Sequence, residues 1–178
     1  MHVVLVNLCY PTDAATADEL LVRFHNLGGW AEALVAEGAA ATVVQRFHRE
    51  YSFERAGVRY RFVGDRLPAD LPWWRRSRPV EHAVLEASFD GAEPATVHVN
   101  GLAYGLQARA IRRRLPRAVP VLVQHHAEGP PGWPARPLLR RAFRAVDGVM
   151  FTSGEMALPW RHAGLLPTSV PLIEVVEG

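Results

Sequence analysis

The sequence predicts a single-domain α/β fold: a doubly wound, Rossmann-like, mostly parallel sheet with helices on both faces. Three observations lead there. Short Val-rich runs, apolar almost without interruption, recur along the chain and read as strands buried on both sides. They alternate with longer segments of helical periodicity, the pattern of right-handed crossovers. Finally, 178 residues at 49% apolar and 21% charged, without an internal repeat or a linker, suit one core. A chain of that size buries roughly 70% of the surface its unfolded form exposes and needs no disulfide or metal staple.

The first strand is expected over residues 2–8. It has no basic segment before it and no small-residue cleavage site after it, and no apolar run nears the roughly 20 residues that cross a bilayer. A long helix follows over 16–37, where Leu20, Leu21, Phe24, Leu27, Trp30, Ala31 and Leu34 recur at three- and four-residue intervals as one buried stripe. Gly28 and Gly29 interrupt that stripe. Each costs about 1 kcal/mol relative to Ala in a helix, so the pair marks close packing, a kink or the approach of a ligand. Strands follow over 41–47 and 58–63, the second with Arg59 and Arg61 alternating as an edge or hairpin strand would. The strand over 2–8, feeding the long helix, is expected at the centre of the sheet. A Pro-, Trp- and Arg-rich loop over 67–79 leads to a helix over 80–89. Strands over 96–101, 119–126, 148–153 and 172–176 then alternate with helices over 104–115, 137–146 and 155–163, with a Pro-rich loop over 128–137.

Composition narrows the chemistry. All 20 basic residues are Arg. With no Lys there is no Schiff-base nucleophile, no pyridoxal phosphate anchor and no P-loop lysine, and no cofactor is expected. A net charge of +2, with Arg spread along the chain, argues against a nucleic-acid partner. The single Cys9 makes no disulfide framework and suits a reduced, cytoplasmic setting. Peripheral contact with the inner membrane face is open through Trp73, Trp74, Arg75, Arg76 and Arg78, the alternative being a solvated loop whose Trp residues pack on the core. The first strand-to-helix turn, residues 8–13, lacks G-x-G-x-x-G, and Cys9 lacks the Arg six residues on that a phosphatase cradle requires. Cys9 therefore reads as a core residue. Phe151 stands where a nucleophile elbow around Ser153 needs Gly.

In open α/β sheets, ligands bind beyond the carboxyl ends of the strands. Two segments place polar residues there. His98 and Asn100 alternate onto one face of their strand, and the run Val121-Leu122-Val123 leads straight into Gln124, His125, His126 and, beyond Ala127, Glu128. Such side chains need partners, because an unsatisfied buried polar group costs about 1–3 kcal/mol. Adjacent histidines in a strand face opposite sides and make no metal pair; zinc would need His98 with one of them, and no metal is assigned. The histidines read either as substrate-facing groups or as groups bonded to loop backbone. His98, Asn100, Gln124 and one of His125 and His126 are expected to line a common cleft with the turn over 9–13.

The order of these segments resembles the N-terminal domain of a GT-B glycosyltransferase of the retaining, family 4-like (group 1) type, which includes sucrose, mannosyl and lipopolysaccharide transferases. Leu27-Gly28-Gly29-Trp30-Ala31-Glu32-Ala33-Leu34 through Gly38 is similar to that family's Gly-Gly segment and helix. Val97-His98-Val99-Asn100-Gly101 is similar to its D-x-x-H-x-H/N strand, and Pro120-Val121-Leu122-Val123-Gln124-His125-His126 to its strand ending in His. Val146-Asp147-Gly148-Val149-Met150-Phe151-Thr152-Ser153 and Leu172-Ile173-Glu174-Val175-Val176-Glu177-Gly178 match the strand followed by Ser and the crossover to a second domain. Each motif is short, and the resemblance rests on five in order. The chain departs from the pattern in placing the Gly pair after a helical stretch, in reading Val-Glu-Gly for Pro-Asn-Gly, and in having no two Glu eight apart.

The resemblance implies transfer of a hexosyl group from a nucleotide-diphosphate sugar, with retention and without metal. The acceptor would be a saccharide, a lipid-linked molecule or another small molecule. His125 or His126 would be the His beside the reacting sugar, with His98, Asn100, Gln124 and Glu128 binding substrate and Gly28 and Gly29 near the donor phosphates. Residues 1–178 would be the acceptor-binding domain, the donor-binding domain lying outside this chain, which alone should neither hold a nucleotide sugar tightly nor turn over. The alternative is a stand-alone Rossmann-like binding or interaction module.

Overall fold

The computed structural model describes residues 1–91 and 95–175. Eight strands form one sheet: β1 (His2–Asn7), β2 (Ala40–Phe47), β3 (Tyr51–Arg55), β4 (Val58–Gly64), β5 (Ala95–Asn100), β6 (Val121–Gln124), β7 (Gly148–Phe151) and β8 (Leu172–Glu174). Their order is β3-β4-β2-β1-β5-β6-β7-β8, with every neighbouring pair parallel except β3–β4. β1 is central, as expected. The end of the last motif, Val176 to Gly178, lies outside the described residues.

β3 was not foreseen. It pairs with β4 across Ala56 and Gly57, both with positive φ (51° and 75°), in a two-residue hairpin turn. β4 is therefore the hairpin strand of the two alternatives and not the edge: it runs parallel to β2, and β3 covers its far side. Phe53 stacks on Tyr60 at 4.9 Å, which holds the hairpin flat against the sheet.

The helix expected over 16–37 is two helices, α1 (Ala17–Arg23) and α2 (His25–Ala36). Thr16 and Glu19 start α1 with a reciprocal capping box. The break falls at Phe24 (φ −105°, ψ 43°), whose carbonyl accepts the N–H of Leu27 and Gly28, and not at the glycines. Gly28 is packed against Tyr60, where an added Cβ would stand 3.4 Å from the hydroxyl, whereas Gly29 has open space before it. α3 (Arg78–Ser88) is capped by Ser77, and α4 (Gly105–Arg112) and α5 (Arg136–Phe143) follow β5 and β6. The helix expected over 155–163 is a single 3-10 turn leading into α6 (Leu158–His162).

Strand alternation sorts the core into two layers. Val3, Leu5, Val43 and Phe47 pack under α1 and α2. Val4, Val6, Val44, Val97, Val99, Val121 and Val123, all fully buried, pack on the other face with α3 to α6. Each contributes roughly 1.5–3 kcal/mol of burial. The chain leaves β1 through α1–α2 on one face toward β2, and leaves β5 through α4 on the other face toward β6. Between β1 and β5 the winding reverses, and a crevice must open at their carboxyl ends.

Candidate functional site at the topological switch

The register places Gln45, Asn7, Asn100 and Gln124 side by side across four strands, each one residue past an apolar run. Asn7 Nδ2 donates to Gln45 Oε1 (2.8 Å), and Gln45 Nε2 donates to the carbonyls of Cys9 (2.9 Å) and Arg46 (2.7 Å). The row is the floor of the crevice. Beside it, the fully buried Arg46 donates to the carbonyls of Pro68 and Ala69, lies 3.9 Å from Asp65 and stands 5.1 Å over the Tyr10 ring. Those contacts tie together the loops that follow β1 and β4.

Above the floor is a cavity of about 760 Å³, within the size range of small-molecule sites. Asn7, Trp30, His98, Asn100, Gln124 and His126 line it, with Cys9 and Tyr104 at one side and Gly29 and the first turn of α2 above. The expected cleft of His98, Asn100, Gln124 and one histidine with the turn after β1 is thus one space. Parity decides which histidine: residues 98, 100, 124 and 126 point toward α2, and residue 125 points the other way.

His98 is 3% exposed, with Gln124 as the hydrogen-bonding neighbour of its ring and no other partner for the ring nitrogens among the described residues. Its ring stands 4.8 Å from that of Trp30 at 62°. Burial, and then the neighbouring His126, push its pKa down to about 3, with Gln124 opposing in part. At neutral pH it is an uncharged imidazole offering one N–H and one lone pair, which is what a hydroxyl group needs.

His125 does not line the cavity. Only 5% exposed, it stacks on Phe151 at 4.8 Å, meets Trp160 edge-on, and places Nε2 2.9 Å from the carbonyl of Glu128. It is the histidine bonded to loop backbone. Glu128 borders the cavity, but its carboxylate serves the chain: one oxygen accepts the N–H of Leu102 and of Ala103 (3.3 Å), and the other accepts the N–H of His126. This clip closes the turn in which Ala127 takes φ 54° and holds it against Gly101, whose φ of 100° suits glycine. Gly28 lies outside the cavity and Gly29 on its wall. The thiol of Cys9 is 3.7 Å from Asn7 Oδ1, and burial pushes its pKa up, the opposite of a nucleophilic cysteine. Among the described residues, no three His, Cys, Asp or Glu side chains gather as metal ligands.

Asn7, Trp30 and Tyr104 were missed as lining residues. Asn7 carried the same signal as Asn100, a polar residue ending an apolar strand. Trp30 was hidden in the stripe of the helix, and Tyr104 carried no signal.

No known sequence family and no curated protein matches the chain by sequence. Solved structures do. The sucrose-phosphate synthase of Thermosynechococcus elongatus matches with a TM-score of 0.66 at 15% identity, over 98% of this chain and 47% of that one. A second structure under the same enzyme name matches with a TM-score of 0.63 at 15% identity, over 100% of this chain and 90% of that one. An alpha-glucosyltransferase in complex with UDP and a 13-mer DNA matches with a TM-score of 0.53 at 12% identity, over 97% and 41%. The chain has the α/β fold seen in these GT-B glycosyltransferases. It spans about half the length of the first of them, 47%.

Proposed function

We propose that the chain is the acceptor-binding half of a retaining, family 4-like GT-B glycosyltransferase, which moves a hexosyl group from a nucleotide-diphosphate sugar to a hydroxylated acceptor. The observation that carries this reading is the cavity at the switch point, on which His98, a neutral imidazole with Gln124 beside its ring, stands next to the exposed His126. A neutral imidazole has one donor and one acceptor nitrogen, so a bond to Gln124 leaves the other nitrogen for a sugar hydroxyl. Trp30 gives the ring an apolar face, and the amides of the floor read hydroxyls around its edge.

His126 is the residue assigned to the reacting sugar, where a positioned hydrogen bond strengthens as charge develops. Gly29, with open space where a side chain would stand, lets a phosphate come close to the first turn of α2, which borders the cavity. The rest of the diphosphate's charge would be met by a donor-binding domain outside this chain. The acceptor is proposed as a saccharide, a lipid-linked sugar or another small molecule, in keeping with the cavity's volume. A cytoplasmic location suits the single reduced thiol.

The test is titration of this chain with nucleotide sugars and, separately, with simple glycosides, read by calorimetry and by the imidazole NMR signals. Glycosides should shift the His98 and His126 resonances and leave His125 unmoved, and nucleotide sugars should bind weakly. Micromolar binding of a nucleotide sugar, with no response to any glycoside, would give the chain its own donor site and end the half-enzyme reading.

A further inference from the structure

Arginine is spread along the sequence but concentrated in space. Residues 95–146 hold nine of the 20 arginines and one carboxylate, Glu128, whose oxygens are taken by backbone N–H groups. Three of the nine are engaged: Arg112 on the carbonyl of Val119 (2.6 Å) and near Asp147 (3.4 Å), Arg136 on the carbonyl of Pro131 (3.1 Å), and Arg114 at 3.9 Å from Glu81. Arg109, Arg113, Arg117, Arg140, Arg141 and Arg144 have no carboxylate within ion-pair distance among the described residues. Five of these six lie on α4 and α5 or end them, and the two helices pack side by side on one face of the sheet.

The surface is continuous. The pKa of Arg109 is lowered by burial and then by Arg141, Arg113 and Arg76, like charges from α5, from the end of α4 and from the loop before α3. That loop is fastened to α4 by Gln107, which accepts the N–H of Ser77 (2.9 Å) and donates to its carbonyl (3.2 Å). Large apolar side chains stand among the charges. Trp133 is 78% exposed, Trp74 60% and Leu138 47%, while Trp73 is packed against the core and meets Trp74 edge-on at 5.6 Å.

We propose that the outward face of α4 and α5, with Trp133, Leu138 and Trp74 as its apolar contacts, docks on an anionic lipid bilayer. Unpaired arginines match phosphodiester headgroups, and indoles and an aliphatic side chain gain free energy at the headgroup boundary. A second copy of this chain on the same face would set arginine against arginine. Nucleic acid would use the charge but gives Leu138 nothing to enter. The cavity lies under α2 on the other face of the sheet from α4 and α5, so docking through these two helices does not use its lining. The proposal stands independently of the acceptor-site reading.

The experiment is co-sedimentation of this chain with phosphatidylcholine vesicles, with and without phosphatidylglycerol, and titration with duplex DNA. Binding is expected to the anionic vesicles only, weakened at least tenfold at about 0.5 M salt, with a blue shift of tryptophan emission. Each arginine near such a surface is worth about fivefold, so Arg113→Glu, Arg140→Glu and Arg141→Glu together should weaken binding by about a hundredfold or more. Trp133→Ser with Leu138→Ser should weaken it about tenfold at low salt. Unchanged circular dichroism and an unchanged thermal midpoint would show that the variants fold. The proposal is overturned if anionic vesicles fail to bind, if the charge reversals leave binding intact, or if DNA binds more tightly while the two Ser replacements leave vesicle binding unchanged.

Discussion

The two faces of the sheet treat the carboxyl ends of the central strands differently. On the α3–α6 face, valines give way to a closed aromatic packing, in which His125 lies between Phe151 and Trp160 with Nε2 on a carbonyl. On the α2 face, the strands end in amides and in His98, which has Gln124 beside its ring, and space is left above them. His125 and His126, adjacent in sequence, thus fall on opposite faces, one in the closed packing and one lining the cavity. A histidine tied to loop backbone inside closed packing is structural, whereas one on the wall of an open cavity is placed to meet a ligand.

The sharpest way to break this contrast is to exchange the histidines' fates. In the transferase proposed above, His126→Ala should lower turnover by about 10² or more, the loss typical of one positioned group near a transition state. His125→Phe should leave turnover within a few-fold while shifting the thermal midpoint. Equal loss of turnover in both variants would erase the distinction between the faces.

Removal of the clip comes next. Glu128→Ala strands three N–H groups at the turns after β5 and β6, and should cost about 2–3 kcal/mol in denaturant unfolding. A change below about 0.5 kcal/mol would mean that the turns hold without it.

Acid should then act on the open face. His98 has its pKa pushed down to about 3 in the fold, whereas an unfolded histidine titrates near 6.5. The unfolded chain therefore takes up the extra proton between these values. Stability is full above pH 6.5, falls as pH drops, and should be lower by about 2 kcal/mol at pH 5 through this residue alone. The buried His2, whose pKa is also lowered by burial, adds in the same direction. His98→Gln should flatten the slope measured by urea unfolding at pH 5 and pH 7; an unchanged slope would place the acid sensitivity elsewhere. The smallest effect expected is on ligand contact. Trp30→Ala should weaken glycoside binding about fivefold, as loss of one stacking face does.

Much of this was legible in the residues. The Val runs located every parallel strand, because burial on both faces leaves little room for polar residues. The floor was visible in Asn100 and Gln124, since a polar residue ending such a run must lie at the sheet's edge or in a site. The choice between His125 and His126 was not, because alternation gives opposite faces without saying which one α2 covers. The break at Phe24 was masked by apolar residues that serve both α1 and α2 in one stripe. β3 escaped because Tyr51 to Arg55 is largely exposed and its turn is Ala-Gly, a weaker signal than Asn-Gly. The arginine face needed the packing of α4 on α5, which no linear spacing displays.

The bonds of Glu128 have a consequence for affinity. Because one carboxylate binds the turn after β5 to the turn after β6, the two walls of the cavity are already fixed relative to each other before anything enters. A ligand touching both His126 and the Gly101 turn does not have to order two independent loops, a cost of about 0.5–1.5 kcal/mol for every side chain immobilised. The pocket is preorganised by a residue that need never touch what it binds.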